Sequence, residues 1–431
     1  MYKENDLAIN GGKKIREKPM PAREAFGDLE VSKLNEVIKY YRDLRVDPPY
    51  SGKFEEEFCE EFVDFMGGEG YADAVTSGTA AIYTSLQALQ LPKGSEVLIT
   101  AVTDCGPLNC IIQLGLIPKI VDTAKNSYNS CVGNFINSLT EKTKCVIATH
   151  AAGESIHHID KLYNLLKKKK IYLIEDCSQS PGATWNNLPV GNFSDVSAFS
   201  TMYRKTLHSS GNGGLVFTKS YELYKMLLAS ADKGKQCWRD DIDLRNPNFA
   251  IMPALNFTTN DLACAIGSAS LSRLKRTINE RYEWTEKFAT RLKETKTCYP
   301  YNLNKGFSVF FYPVFVRSNL LKCSKKHFAE AILAEGIGLQ PHYGCVISDW
   351  EWAKNYMENF DFAKNATDIR DNSFNLFVNE RYGTKEIEDI ISTIQKVESV
   401  YLKDISKDKN LYEDKALDCC GFPNGTCEKF K

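Results

Sequence analysis

Between about residues 70 and 220, short apolar runs alternate with stretches of helical character, and no other feature of the chain constrains its fold as strongly. EVLITAV (96–102) precedes the helix-like LNCIIQLG, and PKIVD (118–122) follows. KCVIATH (144–150), the helix-like DKLYNLLKKKK (160–170), IYLIED (171–176), DVSAFS (195–200) and GLVFT (214–218) continue the pattern. Strands that are apolar on both faces and separated by helices belong in a mostly parallel sheet with helices on either side. Lys167 to Lys170 then mark the solvated end of a crossover helix rather than a binding patch.

The rest of the chain reads differently. Residues 261–293 form one or two long helices that leave this α/β unit. FSVFFYPVFV (307–316), the helix KKHFAEAILAEG (325–336), FNLFV (374–378) and the helix KEIEDIISTIQKVESVY (385–401) predict a smaller α+β unit. The expected division is an N-terminal arm and helix (1–50), a large α/β domain (51–275), a small α+β domain (276–404) and a polar tail (405–431). There is no internal repeat.

Charge and cysteine content narrow the class. Fifty-four basic and 55 acidic residues leave a net charge of −1, so neither a nucleic acid nor a membrane surface is an expected partner. No window approaches the roughly 18 uninterrupted apolar residues of a spanning helix. The first residues, MYKENDLAINGGKKIREKPMP, lack the apolar stretch of a secretory signal. The 14 cysteines are scattered, several inside apolar runs (Cys110, Cys145, Cys264), which fits reduced thiols in a cytoplasmic protein. Cys419, Cys420 and Cys427 cluster near the end, but no neighbour supplies a fourth metal ligand, so no metal site is expected.

Three stretches bear chemistry. In TSGTAAIYTSLQAL (76–89), Ile82, Leu86 and Leu89 recur at helical spacing, so Ser77, Gly78 and Thr79 start a helix. Such a start is either an ordinary cap or an anion site, because its free amides and the helix dipole favour negative charge. In IYLIEDCSQSPGA (171–183), Asp176 closes a buried strand at the sheet edge where open parallel sheets bind ligands. A carboxylate there needs a partner, and a cap or a salt bridge explains it as readily as function does. In FSTMYRKTLHSSGNGG (199–214), Lys205 comes one strand later and reaches the same edge. A lysine, an acid and an anion-binding helix start together meet the needs of pyridoxal phosphate. The lysine forms a Schiff base, the acid keeps the ring nitrogen protonated, and the phosphate sits on backbone amides.

With these stretches in order, the chain resembles the DegT/DnrJ/EryC1/StrS family of sugar aminotransferases from about residue 7 to 400. LAINGGKKIR (7–16), SGTAA (77–81), GSEVLITAVT (94–103), the segment from His150 to Gly153, EDCSQSPGA (175–183) and PVG (189–191) carry the likeness. So do F-S-x4-K (199–205) with its G-x-G-G ending, Asn256, DLACAIG (261–267) and EGIGLQPHY (335–343). The resemblance implies an α/β, fold-type-I, pyridoxal-phosphate-dependent transferase. Lys205 would carry the cofactor and shuttle protons, and Asp176 would face the pyridine nitrogen. Gln179 would lie against the ring or its hydroxyl, and Ser77, Gly78, Thr79 and Ser200 would hold the phosphate. Asn256 would reach the cofactor of a neighbouring subunit, which makes a homodimer the working unit. The reaction implied moves an amino group from glutamate or glutamine to a keto-sugar, nucleotide-keto-sugar or cyclitol.

Three positions depart from the family pattern. Asp104 stands where an aromatic side chain commonly stacks on the ring, so either another side chain covers that face or Asp104 contacts substrate. Asn212 replaces the usual glutamate of the glycine loop, and Thr258 replaces an arginine. DKGKQCW (232–238) is similar to a stretch of the 3-dehydratase branch, which carries histidine in place of the lysine; retention of Lys205 argues for transamination. The rival readings are another reaction of the same cofactor, sugar dehydration or amino-acid decarboxylation, and a non-catalytic regulator that keeps the fold. His150, His208 (a proton carrier or a solvated loop residue), His342 and Tyr343 are the remaining substrate-site candidates, each with a structural alternative, and His157 and His158 read as surface residues.

Overall fold

The computed structural model describes residues 2–404 apart from 359, 361 and 362. The expected tail, with Cys419, Cys420 and Cys427, lies outside the described residues.

Helix α1 (Asp28–Leu44) and α2 (Lys53–Met66) lead into the first sheet. Its strands are β1 (Tyr71–Val75), β2 (Glu96–Thr100), β3 (Ile117–Val121), β4 (Thr143–Thr149), β5 (Tyr172–Asp176), β8 (Val196–Ser200) and β9 (Gly214–Thr218); a short hairpin, β6 (Thr184–Trp185) and β7 (Leu188–Pro189), stands apart. The seven strands lie in the order β1-β9-β8-β5-β4-β2-β3. All run parallel except β9, which pairs antiparallel with both β1 and β8. The mostly parallel sheet expected from the sequence is therefore present.

The connections include α3 (Gly78–Ala88), α4 (Cys105–Gln113), α5 (Val132–Ser138), α6 (Ile159–Lys168) and α7 (Tyr221–Ala231). Helix α6 shows why they cover the sheet. Ile159, Leu162 and Leu166 fall on one face and are buried, while Lys167 to Lys170 stay exposed. Burial of each of those three side chains contributes about 1.5–3 kcal/mol.

Helices α8 (Asp261–Ser272) and α9 (Leu274–Arg291) carry the chain to a second sheet. This sheet has the order β10-β11-β13-β12 and is antiparallel throughout: β10 (Cys298–Pro300), β11 (Phe311–Val316), β12 (Leu339–Gln340) and β13 (Ser373–Phe377). Helices α10 (Lys325–Ala334) and α11 (Lys364–Asn372) pack on it, and α12 (Thr384–Tyr401) packs against α10 and α9. One apolar core runs through both units, from Val97 and Ile147 to Phe311 and Ile394. A buried ion pair adds to it: Glu380 accepts from Arg281 Nε and Nη2 at 2.9 and 2.8 Å. Both side chains are 2 % exposed, so the pairing offsets much of the water each has lost.

The register fixes where the strands end. Thr149 lies opposite Asp176, and Asp176 opposite Ala198, so β4, β5 and β8 finish side by side. Ser200 and Val75 both pair with Gly214, which brings the start of α3 to the same edge.

Candidate active site

Lys205 stands on a tight turn after β8. Its amide donates to Met202 O at 2.8 Å, and the loop is closed by Thr201 N–H to Gly213 O and Ser209 N–H to Thr201 O, each 2.8 Å. The side chain is 8 % exposed, with Nζ 4.5 Å from the centroid of the Phe310 ring. Burial lowers the Lys205 pKa, while Asp176, Asp104 and Cys345 oppose the shift. An amine so placed gives up its proton more readily than a solvated lysine and is the better nucleophile for it.

Asp176 ends β5 and is 3 % exposed. Its Oδ1 accepts the Ser178 N–H at 3.0 Å, and Oδ2 has the Thr149 hydroxyl at 3.5 Å. Burial raises its pKa, opposed by hydrogen bonds from Ser178 and by Lys205 and His150. A carboxylate this dry gains from a cationic hydrogen-bond donor in front of it.

The start of α3 completes the group. Ser77 Oγ caps it by accepting the Ala80 N–H at 3.0 Å, and Ala81 N–H bonds Ser77 O. The amides of Gly78 and Thr79 remain without a carbonyl inside the helix. A Cβ on Gly78 would sit 2.6 Å from the Ser200 Cβ, so only glycine lets this helix start approach the end of β8. Gln179 is held in two directions: Oε1 accepts the Ala152 N–H at 2.8 Å, and Nε2 donates to Tyr343 Oη at 3.0 Å. Tyr343 is buried against the edges of Tyr128 and Phe311. Pyridoxal phosphate fits this set: paired free amides beside a hydroxyl for its phosphate, a buried carboxylate for a ring N–H⁺, and a desolvated amine for its aldehyde.

Asp104 is exposed and caps α4, its Oδ1 accepting the Gly106 N–H at 3.0 Å. No ring can stack from this position, but its charge acts on Lys205.

The other candidates stand elsewhere. His150 is buried and fully engaged: Nδ1 accepts the Ile156 N–H and Nε2 donates to Glu175 Oε1, both at 2.9 Å. As a substrate contact it is corrected to a core residue behind Asp176. Glu175 also takes the Gly191 and Phe193 amides at 2.9 and 2.8 Å. With Cys177 these two side chains form a cluster of ligand-type atoms within 4.8 Å, but its nitrogen and oxygen donors are already spent on hydrogen bonds. Asn212 is exposed at the tip of the glycine loop. Asn256 is exposed too; its Oδ1 accepts the Thr258 N–H at 3.0 Å and hydroxyl at 2.7 Å. His342 is half-buried, and burial with Arg370 and Lys325 lowers its pKa.

His208 needs a correction on both readings. It is neither solvated nor a proton carrier near neutrality. The ring is 1 % exposed, lies edge-on to Phe26 and accepts from Arg273 Nη2 at 3.3 Å. Burial, then Arg23 and Arg273, push its pKa down to about 3. Since the unfolded chain protonates this histidine near pH 6.5, folding excludes a proton between those values. Stability is therefore complete above pH 6.5 and falls as the pH drops towards 3. His208→Gln is expected to reduce the stability lost between pH 7 and 4.5 by about 2 kcal/mol, read from urea unfolding at both pH values.

Phe310, Cys345 and Arg23 are the site residues that sequence reading misses. Phe310 and Cys345 flank the Lys205 amine from the second sheet and its loops; only the HY dipeptide just before Cys345 hinted at that loop.

Comparison with known proteins agrees with this arrangement. The model of the DegT/DnrJ/EryC1/StrS aminotransferase family matches residues 35–395. A GDP-perosamine synthase of Vibrio cholerae is 31% identical over 245 residues, 56% of this chain and 63% of that protein. A putative L-glutamine:3-amino-2,3-dideoxy-scyllo-inosose aminotransferase of Micromonospora echinospora is 27% identical over 230 residues, 53% of this chain and 54% of its own length. The matches thus span less than two thirds of these relatives. The Escherichia coli GDP-4-keto-6-deoxy-D-mannose-3-dehydratase, solved with bound hydrated PLP, has the same fold: TM-score 0.77 at 22% identity, covering 88% of this chain and 99% of that one.

Proposed function

The chain belongs to the DegT/DnrJ/EryC1/StrS aminotransferase family, and from that premise we propose that it is a pyridoxal-phosphate-dependent aminotransferase acting on a keto-sugar, a nucleotide-linked keto-sugar or a cyclitol. The observation that carries this reading is the meeting of Lys205, Asp176 and the α3 start at one sheet edge. Glutamate or glutamine is the expected amino donor.

Lys205 would hold the cofactor covalently, Asp176 its ring nitrogen, Gln179 its ring edge, and Gly78, Thr79 and Ser200 its phosphate. Once bound, the cofactor supplies an electron sink for the pair left when the donor loses its Cα proton. Lys205 Nζ takes that proton as general base, an exchange its depressed pKa favours. Asp176 would face the ring nitrogen and, by favouring its protonated form, would keep the sink effective. Phe310 covers one side of the amine.

A homodimer is the working unit in this reading. Phe26, Leu29, Ile38, Leu255 and Leu262 are large apolar side chains left exposed, and Asn256 sits beside Leu255, available to a second copy. No helix among the described residues is long and apolar enough to cross a membrane. None of the 11 described cysteines is in a disulfide, which suits the reducing cytoplasm.

Protein loaded with pyridoxamine phosphate and offered a panel of keto-sugars and keto-cyclitols is expected to regain the visible band of the aldehyde cofactor with at least one acceptor. Donor consumption should then match product one to one. Product formed from the keto-sugar without donor consumption would instead identify a dehydratase, and conversion of the amino acid to amine and CO2 a decarboxylase.

A further inference from the structure

The N-terminal arm reaches the catalytic turn, 180 residues further along the chain. Arg23 Nη1 donates to Tyr203 O at 2.8 Å and also to Lys205 O. The Arg23 Nε is buried and has no hydrogen-bond partner among the described residues. Among the described residues, no carboxylate forms an ion pair with this guanidinium at contact distance; its two contacts on the turn are backbone carbonyls flanking Arg204.

The arm is itself held in place. Pro21 O accepts from Asn379 Nδ2 at 2.8 Å, and the Glu24 N–H donates to Glu380 Oε1 at 2.6 Å. The other oxygen of Glu380 takes the fork of Arg281, whose Nη1 also reaches Val309 O at 3.3 Å. Val309 precedes Phe310, the ring beneath the Lys205 amine. A single buried ion pair therefore fixes both the arm that grips the Lys205 backbone and the segment that flanks its amine.

We propose that Arg23 is a positioning residue for Lys205, holding the turn so that the amine keeps its place between Asp176 and Phe310. The inference rests on the reading of Lys205 as the working amine. A lysine at position 23 can reach one of the two carbonyls, whereas glutamine is too short and carries no charge.

The test compares Arg23→Gln and Arg23→Lys with the wild type in two ways. In cofactor-free protein, acylation of Lys205 by acetic anhydride across pH, quantified on its peptide by mass spectrometry, gives the titration of the amine. Arg23→Gln is expected to move that titration upwards by about one pH unit, because a loosened turn lets water reach Nζ. In loaded enzyme it should lower kcat roughly 100-fold, with the donor KM and the urea midpoint unchanged. Arg23→Lys should recover most of both changes. A wild-type Lys205 titration and kcat in Arg23→Gln would overturn the proposal. So would losses that follow the urea midpoint and are equal in the two variants. If Arg23→Gln does not fold, Arg23→Met, similar in length but without a donor, takes its place: a shifted titration and lowered kcat uphold the proposal, and wild-type values overturn it. Acylation requires no cofactor, so a wild type that transfers no amino group would refute the aminotransferase reading while this comparison still reports on Arg23.

Discussion

Replacing Lys205 with alanine is expected to lower multiple-turnover amino transfer by about four orders of magnitude or more, since one group serves as attachment point and proton carrier and no neighbour can take over either role. The loop's histidine, His208, stays neutral near pH 7 with a pKa of about 3 and is enclosed by Arg273 and Phe26. The fold should tolerate the change. Lys205 is buried and has no ion pair at contact distance among the described residues, so its removal relieves a desolvation cost rather than breaking a network. Steady-state amino transfer and a urea titration on the same preparation check both halves of the expectation.

Asp176→Asn is the second large effect, an expected fall in kcat on the order of 10²–10³-fold, comparable to removing a preorganised charge from a dry site. The amide keeps the Ser178 N–H bond, because an amide oxygen accepts as Oδ1 does. It cannot stabilise a cationic ring nitrogen, and it removes the largest charge that supports the protonated form of Lys205. Stability is expected to hold or rise, since burial already raises the pKa of this carboxyl in the folded state. Loss of turnover with an undiminished unfolding midpoint is the signature to look for. If kcat stays within a factor of a few of wild type, Asp176 does not hold a charged ring.

Asp176 and Lys205 were legible because a continuous apolar strand must end at a sheet edge, and a polar residue at that end is conspicuous. The Ser77–Thr79 helix start was legible from a cap residue followed by helical periodicity. The reversal of β9 was not, since GLVFT is equally apolar in either direction and only pairing with β1 and β8 sets its sense. His208 escaped both of its readings for the opposite reason: its burial is made by a distant partner, Arg273, which local composition does not reveal, whereas at His150 the contact with Glu175 fits the structural alternative. Phe310 and Arg23 were invisible for the same cause: each meets Lys205 from more than a hundred residues away. At Asp104 the sequence showed a departure, and the structure supplied its local reason, the cap of α4.

The most direct test is to reduce the cofactor-loaded protein with borohydride, digest it and locate the cofactor mass by peptide sequencing. A single modified position at Lys205, retained in Asp176→Asn and lost in Lys205→Ala, is the predicted result. Cofactor bound with no covalent adduct, or an adduct on any other lysine, would contradict the account.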